Sequence, residues 1–170
     1  QMKQISCAVI DDEPIARDIL EDFICQDERL IFYGNYKNAK EALKGISTKP
    51  VELVFLDINM PGLTGFQFLK SMTNPPAVIF TTAYREHAME GFDANAIDYL
   101  LKPIGRTELK EAIDKFNILQ LKLNGDRLEK MEDVYSIINR NYKNRFLVRS
   151  GEQILSVPVE DITFLIAEDG

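Results

Sequence analysis

Short apolar runs alternate with amphipathic stretches over the first 120 residues. Ile5 to Ile10 reads I-S-C-A-V-I, Val51 to Leu56 reads V-E-L-V-F-L and Ala77 to Phe80 reads A-V-I-F. Runs of this length and β-branched content predict strands buried on both faces, the habit of a parallel sheet. Helical spacing lies between them. Ile15, Ile19, Leu20, Phe23 and Ile24 follow Pro14 at a first helical position, and both cysteines, Cys7 and Cys25, are expected to be buried. Asn38 and Glu41 resemble a capping box ahead of Ala42, Leu43 and Ile46. Further helices are predicted at 66–72 and 86–94, a fifth strand at Ile97 to Leu101, and then a long helix capped by Thr107 that runs through Ile113, Phe116 and Leu119. Five strand–helix units imply right-handed crossovers and an α/β class, a doubly wound five-stranded parallel sheet.

In such sheets the functional crevice lies at the carboxyl ends of the strands. The polar residues fall there. The first strand runs into Asp11-Asp12, the third into Asp57, the fourth into Thr81-Thr82 and the fifth into Lys102-Pro103. Carboxylates clustered in a small crevice repel one another, and a bound hard cation keeps them ionised. Oxygen donors point to magnesium, held directly by Asp12 and Asp57, through water by Asp11, and by the backbone carbonyl of Asn59 as a further candidate. Asp57 is then an oxygen nucleophile for an incoming phosphoryl group, with Lys102 a point positive charge and Thr82 a hydroxyl donor. Backbone N–H groups around Asn59 and Ala83 are candidates to complete the cradle. The Lys102-Pro103 peptide is expected to be cis, aiming Lys102 inward.

At these residues the chain closely resembles the response-regulator receiver family. The matching phrases are V-I-D-D-E-P at 9–14, F-L-D-I-N-M-P-G-L-T-G at 55–65, F-T-T-A-Y at 80–84 and D-Y-L-L-K-P-I at 98–104. The resemblance implies a flavodoxin-like receiver over 4–122. It places the phosphoacceptor on Asp57, the acidic pair on Asp11 and Asp12, the switch hydroxyl on Thr82, the lysine on Lys102 and the reporting aromatic on Tyr99. It also implies a sensor histidine kinase as partner and no enzymatic activity beyond the domain's own phosphorylation and dephosphorylation. Met60-Pro61, Gly62 and Gly65 read as backbone-shaping residues of the loop after Asp57. His87 reads as a solvent-facing helix residue.

Other chemistries fit less well. A hydrolase or phosphotransferase with aspartyl chemistry calls for a second Asp two residues after the nucleophile, where this chain has Asn59. A flavodoxin-like cofactor binder calls for a Gly/Ser/Thr-rich loop where this chain has Asp-Asp-Glu-Pro. A receiver that only scaffolds protein contacts or dimerisation is the alternative, against which stand the intact acceptor, acidic pair and lysine.

Composition bounds the partners. The net charge of -7 and pI near 4.8 disfavour nucleic acid as a partner of the chain as a whole. Arg140, Lys143, Arg145 and Arg149 form a local basic run, read as a solvated face. Nothing resembles a transmembrane run or signal peptide, so a cytoplasmic location without membrane contact is expected, with Gln1 an addition ahead of the native Met2. A helical linker is expected over 123–144, with a second helix from about Asp126 to Asn139 after the Asn124-Gly125 stop signal. From Arg145 the pattern turns to strands about a Ser150-Gly151 turn, with Pro158 at an edge or strand end. Together with E-D-I-T-F-L-I-A-E-D-G at 160–170 this resembles the opening of a LytTR-type DNA-binding domain, as an incomplete start over 145–170. The resemblance implies transcription control, DNA contact through the remainder of that domain, and a homodimer formed through the Glu86–Lys102 region and the last receiver helix.

Overall fold

The computed structural model describes residues 3–84, 96–123, 145–150 and 153–158; the helices predicted at 86–94 and 126–139, with His87, lie outside the described residues. The chain divides into two compact units, residues 1–117 and 118–170. In the first, five strands form one parallel sheet: β1 (Ile5–Ile10), β2 (Leu30–Tyr36), β3 (Leu53–Asp57), β4 (Ala77–Thr82) and β5 (Asp98–Leu101). Their spatial order is β2-β1-β3-β4-β5. This is the doubly wound order of flavodoxin-like folds, in which the strand sequence reverses beside β1 and opens a crevice between the ends of β1 and β3.

Alternation along the strands fills two cores. Cys7, Val9, Leu53, Phe55, Ile79 and Leu100 point to one face. There they meet Leu20 and Ile24 of α1 (Pro14–Cys25) and Leu109, Ile113 and Phe116 of α4 (Arg106–Leu123). Ala8, Ile10, Val54, Leu56, Val78 and Phe80 point to the other. That face is covered by Ala42 and Ile46 of α2 (Ala39–Thr48) and Phe68 of α3 (Gly65–Ser71). Every residue of β1 and β3 is buried, as their unbroken apolar runs predict.

Several local expectations are corrected. Ile15 is 73% exposed and Ile19 39%, because the buried line of α1 runs through Leu20 and Ile24 and each helical residue turns by about 100°. Cys25, at the end of that helix, is exposed, whereas Cys7 is buried in β1. Asn38 caps α2 on one side only: its Oδ1 accepts from Glu41 N at 2.9 Å, while the Glu41 carboxylate pairs with Lys37 at 3.2 Å. The reciprocal capping box belongs to α3, where Thr64 and Gln67 each bond the other's backbone N–H. Helix α4 starts before Thr107, since Leu109 N donates to Gly105 O and Thr107 lies inside the first turn.

In the second unit, β6 (Arg145–Ser150) and β7 (Gln153–Pro158) pair antiparallel, with Ser150 opposite Gln153 and Arg145 opposite Pro158. The antiparallel pairing that starts from Ser150 and the strand end at Pro158 agree with the sequence pattern. No helix among the described residues is long and apolar enough to cross a membrane.

The loop from β3 to α3 is held by backbone proximity. Gly62 has φ +84, a left-handed conformation open to glycine. Gly65 N donates to Ile58 O at 2.9 Å, and a Cβ on Gly65 would meet Asp57 O at 2.4 Å. Helix propensity alone makes Gly65→Ala favourable. The clash reverses the sign: Gly65→Ala is expected to lower unfolding free energy by about 1–3 kcal/mol, as urea denaturation would measure.

Candidate functional site

Four strand ends supply the site. Asp11 follows β1, tied down by its N–H bond to Tyr36 O at 3.1 Å, and is fully buried. Its Oδ1 accepts from Glu13 N at 2.9 Å. Asp57 closes β3 at 2% exposure, with Oδ1 accepting from Asn59 N at 3.2 Å. Lys102 follows β5, anchored through its N–H to Thr82 O at 2.8 Å, and its peptide bond to Pro103 is cis, as expected.

The Lys102 ammonium enters the acidic crevice. Nζ lies 2.8 Å from Asp11 Oδ2, 2.8 Å from Glu13 Oε1 and 3.5 Å from Asp57 Oδ2. The Asp11 contact is an ion pair whose geometry is not that of a hydrogen bond. Asp11, Asp12 and Asp57 each offer a carboxylate oxygen, and these atoms lie within 4.8 Å of one another. Asn59 is exposed beside them and contributes its backbone N–H to Asp57.

Two residues not singled out in the sequence complete this edge. Arg17 Nη1 donates to the carbonyl oxygens of Asp11 at 2.7 Å and Asp12 at 3.2 Å, bracing the acidic loop from the first turns of α1. Glu13 is the second anionic partner of Lys102. A basic residue one turn into a helix and an acid beside an acidic pair are common surface features, so neither carries a signal without the fold.

Thr82 closes β4, and Tyr99 lies within the neighbouring β5, opposite Phe80. Thr82 is 1% exposed, and its Oγ1 accepts from Tyr84 N at 3.1 Å. The Tyr99 ring stacks on Phe80 at 5.3 Å between centroids, and Phe80 in turn meets Phe66 at 4.7 Å. Tyr99 Oη is buried and has no hydrogen-bond partner among the described residues, and burial raises the phenol to about 12. Thr81 Oγ1 is likewise buried without a partner among the described residues.

Charge is held here against solvation. Burial, then the neighbouring Asp11 charge, push the Asp57 carboxyl up from 3.8 to about 6, against the opposing pull of Lys102 and the Asn59 N–H. Burial raises Asp11 too, although Lys102 and the Glu13 N–H oppose it. Burial draws the Lys102 ammonium down, but the Asp11 and Glu13 carboxylates outweigh it and hold the group above the ordinary lysine range. The crevice therefore favours whatever adds positive charge beside Asp57.

Residues 7–114 match the response regulator receiver domain family, and the chain belongs to it. The five-stranded parallel sheet with its flanking helices is the flavodoxin-like fold that the resemblance implied. Among relatives, the sensory transduction protein LytT of Bacillus subtilis is 29% identical over 165 residues, covering 95% of this chain and 65% of its own length. The positive alginate biosynthesis regulatory protein of Pseudomonas aeruginosa is 33% identical over 164 residues, covering 94% of this chain and 64% of its own. The chain thus spans about two thirds of the length of these relatives. Among solved structures, the response regulatory domain of mrkE from Klebsiella pneumoniae superposes with a TM-score of 0.61 at 28% identity, over 68% of this chain and 97% of that one.

The raised Asp57 group fixes a pH dependence. The folded state binds this proton more tightly than the unfolded chain does, so the contribution of Asp57 to stability falls as pH rises from about 4 to about 6. Asn at this position does not titrate. In metal-free buffer, Asp57→Asn is expected to be more stable than wild type by about 1–3 kcal/mol at pH 8, a gap that closes below about pH 4. Urea midpoints across that range would measure it; a gap independent of pH contradicts the assignment.

Proposed function

We propose that this chain is the phosphorylation switch of a two-component response regulator, with Asp57 accepting a phosphoryl group from a sensor histidine kinase. The observation that carries the reading is the pairing of a desolvated Asp57 carboxylate with Lys102 and two further carboxylates at one sheet edge. An Asp57 oxygen forms the new bond to phosphorus as the donor's bond to phosphorus breaks, giving an acyl phosphate. Catalysis of that exchange needs positioning and charge stabilisation more than covalent machinery, and Lys102 is the group that can follow the phosphoryl oxygens. The chain is then a phosphoacceptor and not an enzyme acting on separate substrates.

The donor set fits magnesium. Asp12 and Asp57 would hold the ion directly, Asp11 through water and Asn59 through its backbone carbonyl; when bound, the ion offsets the carboxylate charge. Hard oxygen donors clustered within 4.8 Å, with the burial of Asp11 and Asp57 opposing their ionisation, support that fit.

Readout passes through Thr82 and Tyr99. Thr82 Oγ1 is engaged with Tyr84 N, so turning it to a phosphoryl oxygen gives up that contact. Tyr99 moves inward as Thr82 moves, and the phosphoryl group shifts the balance only through contacts that differ between the two states. Residues 4–122 form the receiver, 123–144 a helical linker and 145–170 the start of a LytTR-type output, supported by the hairpin of β6 and β7 and by relatives named as regulatory proteins. DNA contact and transcription control reside in the rest of that output, in the cytoplasm, with a homodimer formed through residues 86–102 and α4.

Incubating the full chain with magnesium and acetyl phosphate tests the acceptor. Wild type gains the mass of one phosphoryl group, and Asp57→Asn gains none. Labelling that survives the substitution overturns the assignment.

A further inference from the structure

Glu13 occupies the N-cap of α1, yet its side chain makes no capping bond to the helix. Its Oε1 instead lies 2.8 Å from Lys102 Nζ, across 89 residues of sequence. An ammonium has three N–H donors. Among the described residues three carboxylates surround this one: Asp11 and Glu13 at 2.8 Å, Asp57 at 3.5 Å. Asp57 is therefore the most distant of the three. The Glu13 side chain is 61% exposed, whereas that of Asp11 is fully buried, so the Glu13 contact is the one most screened by water.

We propose that Glu13 is a positioning residue for Lys102: its carboxylate holds the ammonium on the Asp11 side of the crevice, and releasing it lets Lys102 reach a phosphoryl oxygen on Asp57. This rests on Asp57 being the phosphoacceptor. The backbone of Glu13 supports the same arrangement, since its N–H fixes Asp11 Oδ1 at 2.9 Å. One residue thus orients both the buried acid and the base that pairs with it. The α1 N-terminus bears no side-chain cap, which leaves the Glu13 carboxylate to Lys102.

Two substitutions separate a tether from simple charge. Glu13→Gln removes the charge and keeps the length. Glu13→Asp keeps the charge, but its carboxylate falls about 1.5 Å short, and aspartate at an N-cap is drawn to the helix N–H groups. With magnesium and beryllofluoride as the phosphoryl mimic, the half-saturating beryllofluoride concentration is expected to fall about two- to fivefold in both variants alike. A fall in Glu13→Gln with Glu13→Asp matching wild type would mean that charge acts without a tether, and would overturn the proposal. No change in either variant would overturn it too. Absence of beryllofluoride uptake by wild type would count instead against Asp57 as acceptor. The 15Nζ resonance of Lys102, recorded without magnesium or phosphoryl mimic, then decides the tether alone: it moves equally in both variants if Glu13 holds the ammonium, and stays put if it does not.

Discussion

Asp11 and Asp57 sit out of water at the ends of adjacent parallel strands, with the Lys102 ammonium 2.8 Å from one and 3.5 Å from the other. Their burial follows from the sheet. β1 and β3 lie between two apolar cores, so the residue ending each strand inherits that dry environment before the chain turns out to solvent. The cost of holding charge there raises both carboxyls. Around that tension the neighbouring elements make sense: Arg17 bonds the carbonyls of the acidic loop, Gly65 lets α3 approach Asp57 O, and Thr82 O receives the N–H that fixes Lys102.

Reversal of strand order beside β1 is what turns four sequence-distant polar residues into one site. Asp11, Asp57, Thr82 and Lys102 are each ordinary alone. The order β2-β1-β3-β4-β5 brings their strand ends to one edge, and membership in the receiver family gives that edge its two-component context. The chemistry proposed for Asp57 therefore depends on topology as much as on residue type.

The buried strands were legible because continuous apolar runs have few other uses in a small α/β chain. β2 was implied by the count of strand–helix units but not located. It lies at one edge of the sheet, and its sequence L-I-F-Y-G-N-Y mixes exposed and half-buried positions, so it lacks the unbroken run that marks β1 and β3. Ile15 and Ile19 misled for a related reason: a hydrophobic stripe read at helix spacing does not say which part of it faces the sheet. The strand-end carboxylates and Lys102 could be read from position alone. Glu13 and Arg17 could not, because their partners are set by how the side chains fold back or reach across: Arg17 onto the carbonyls of the loop before α1, Glu13 onto Lys102, 89 residues away in the chain.

Burial leaves this acidic crevice short of positive charge, and Asp57 carries much of the deficit. Unfolding of the full chain by urea at about pH 8, repeated across a magnesium titration, tests it most directly. Stability of wild type should climb with magnesium, by about 2.7 kcal/mol at a hundredfold excess over Kd, and Asp57→Asn should lose most of that climb. A flat response in wild type, or an equal climb in Asp57→Asn, would mean that Asp57 carries no such deficit.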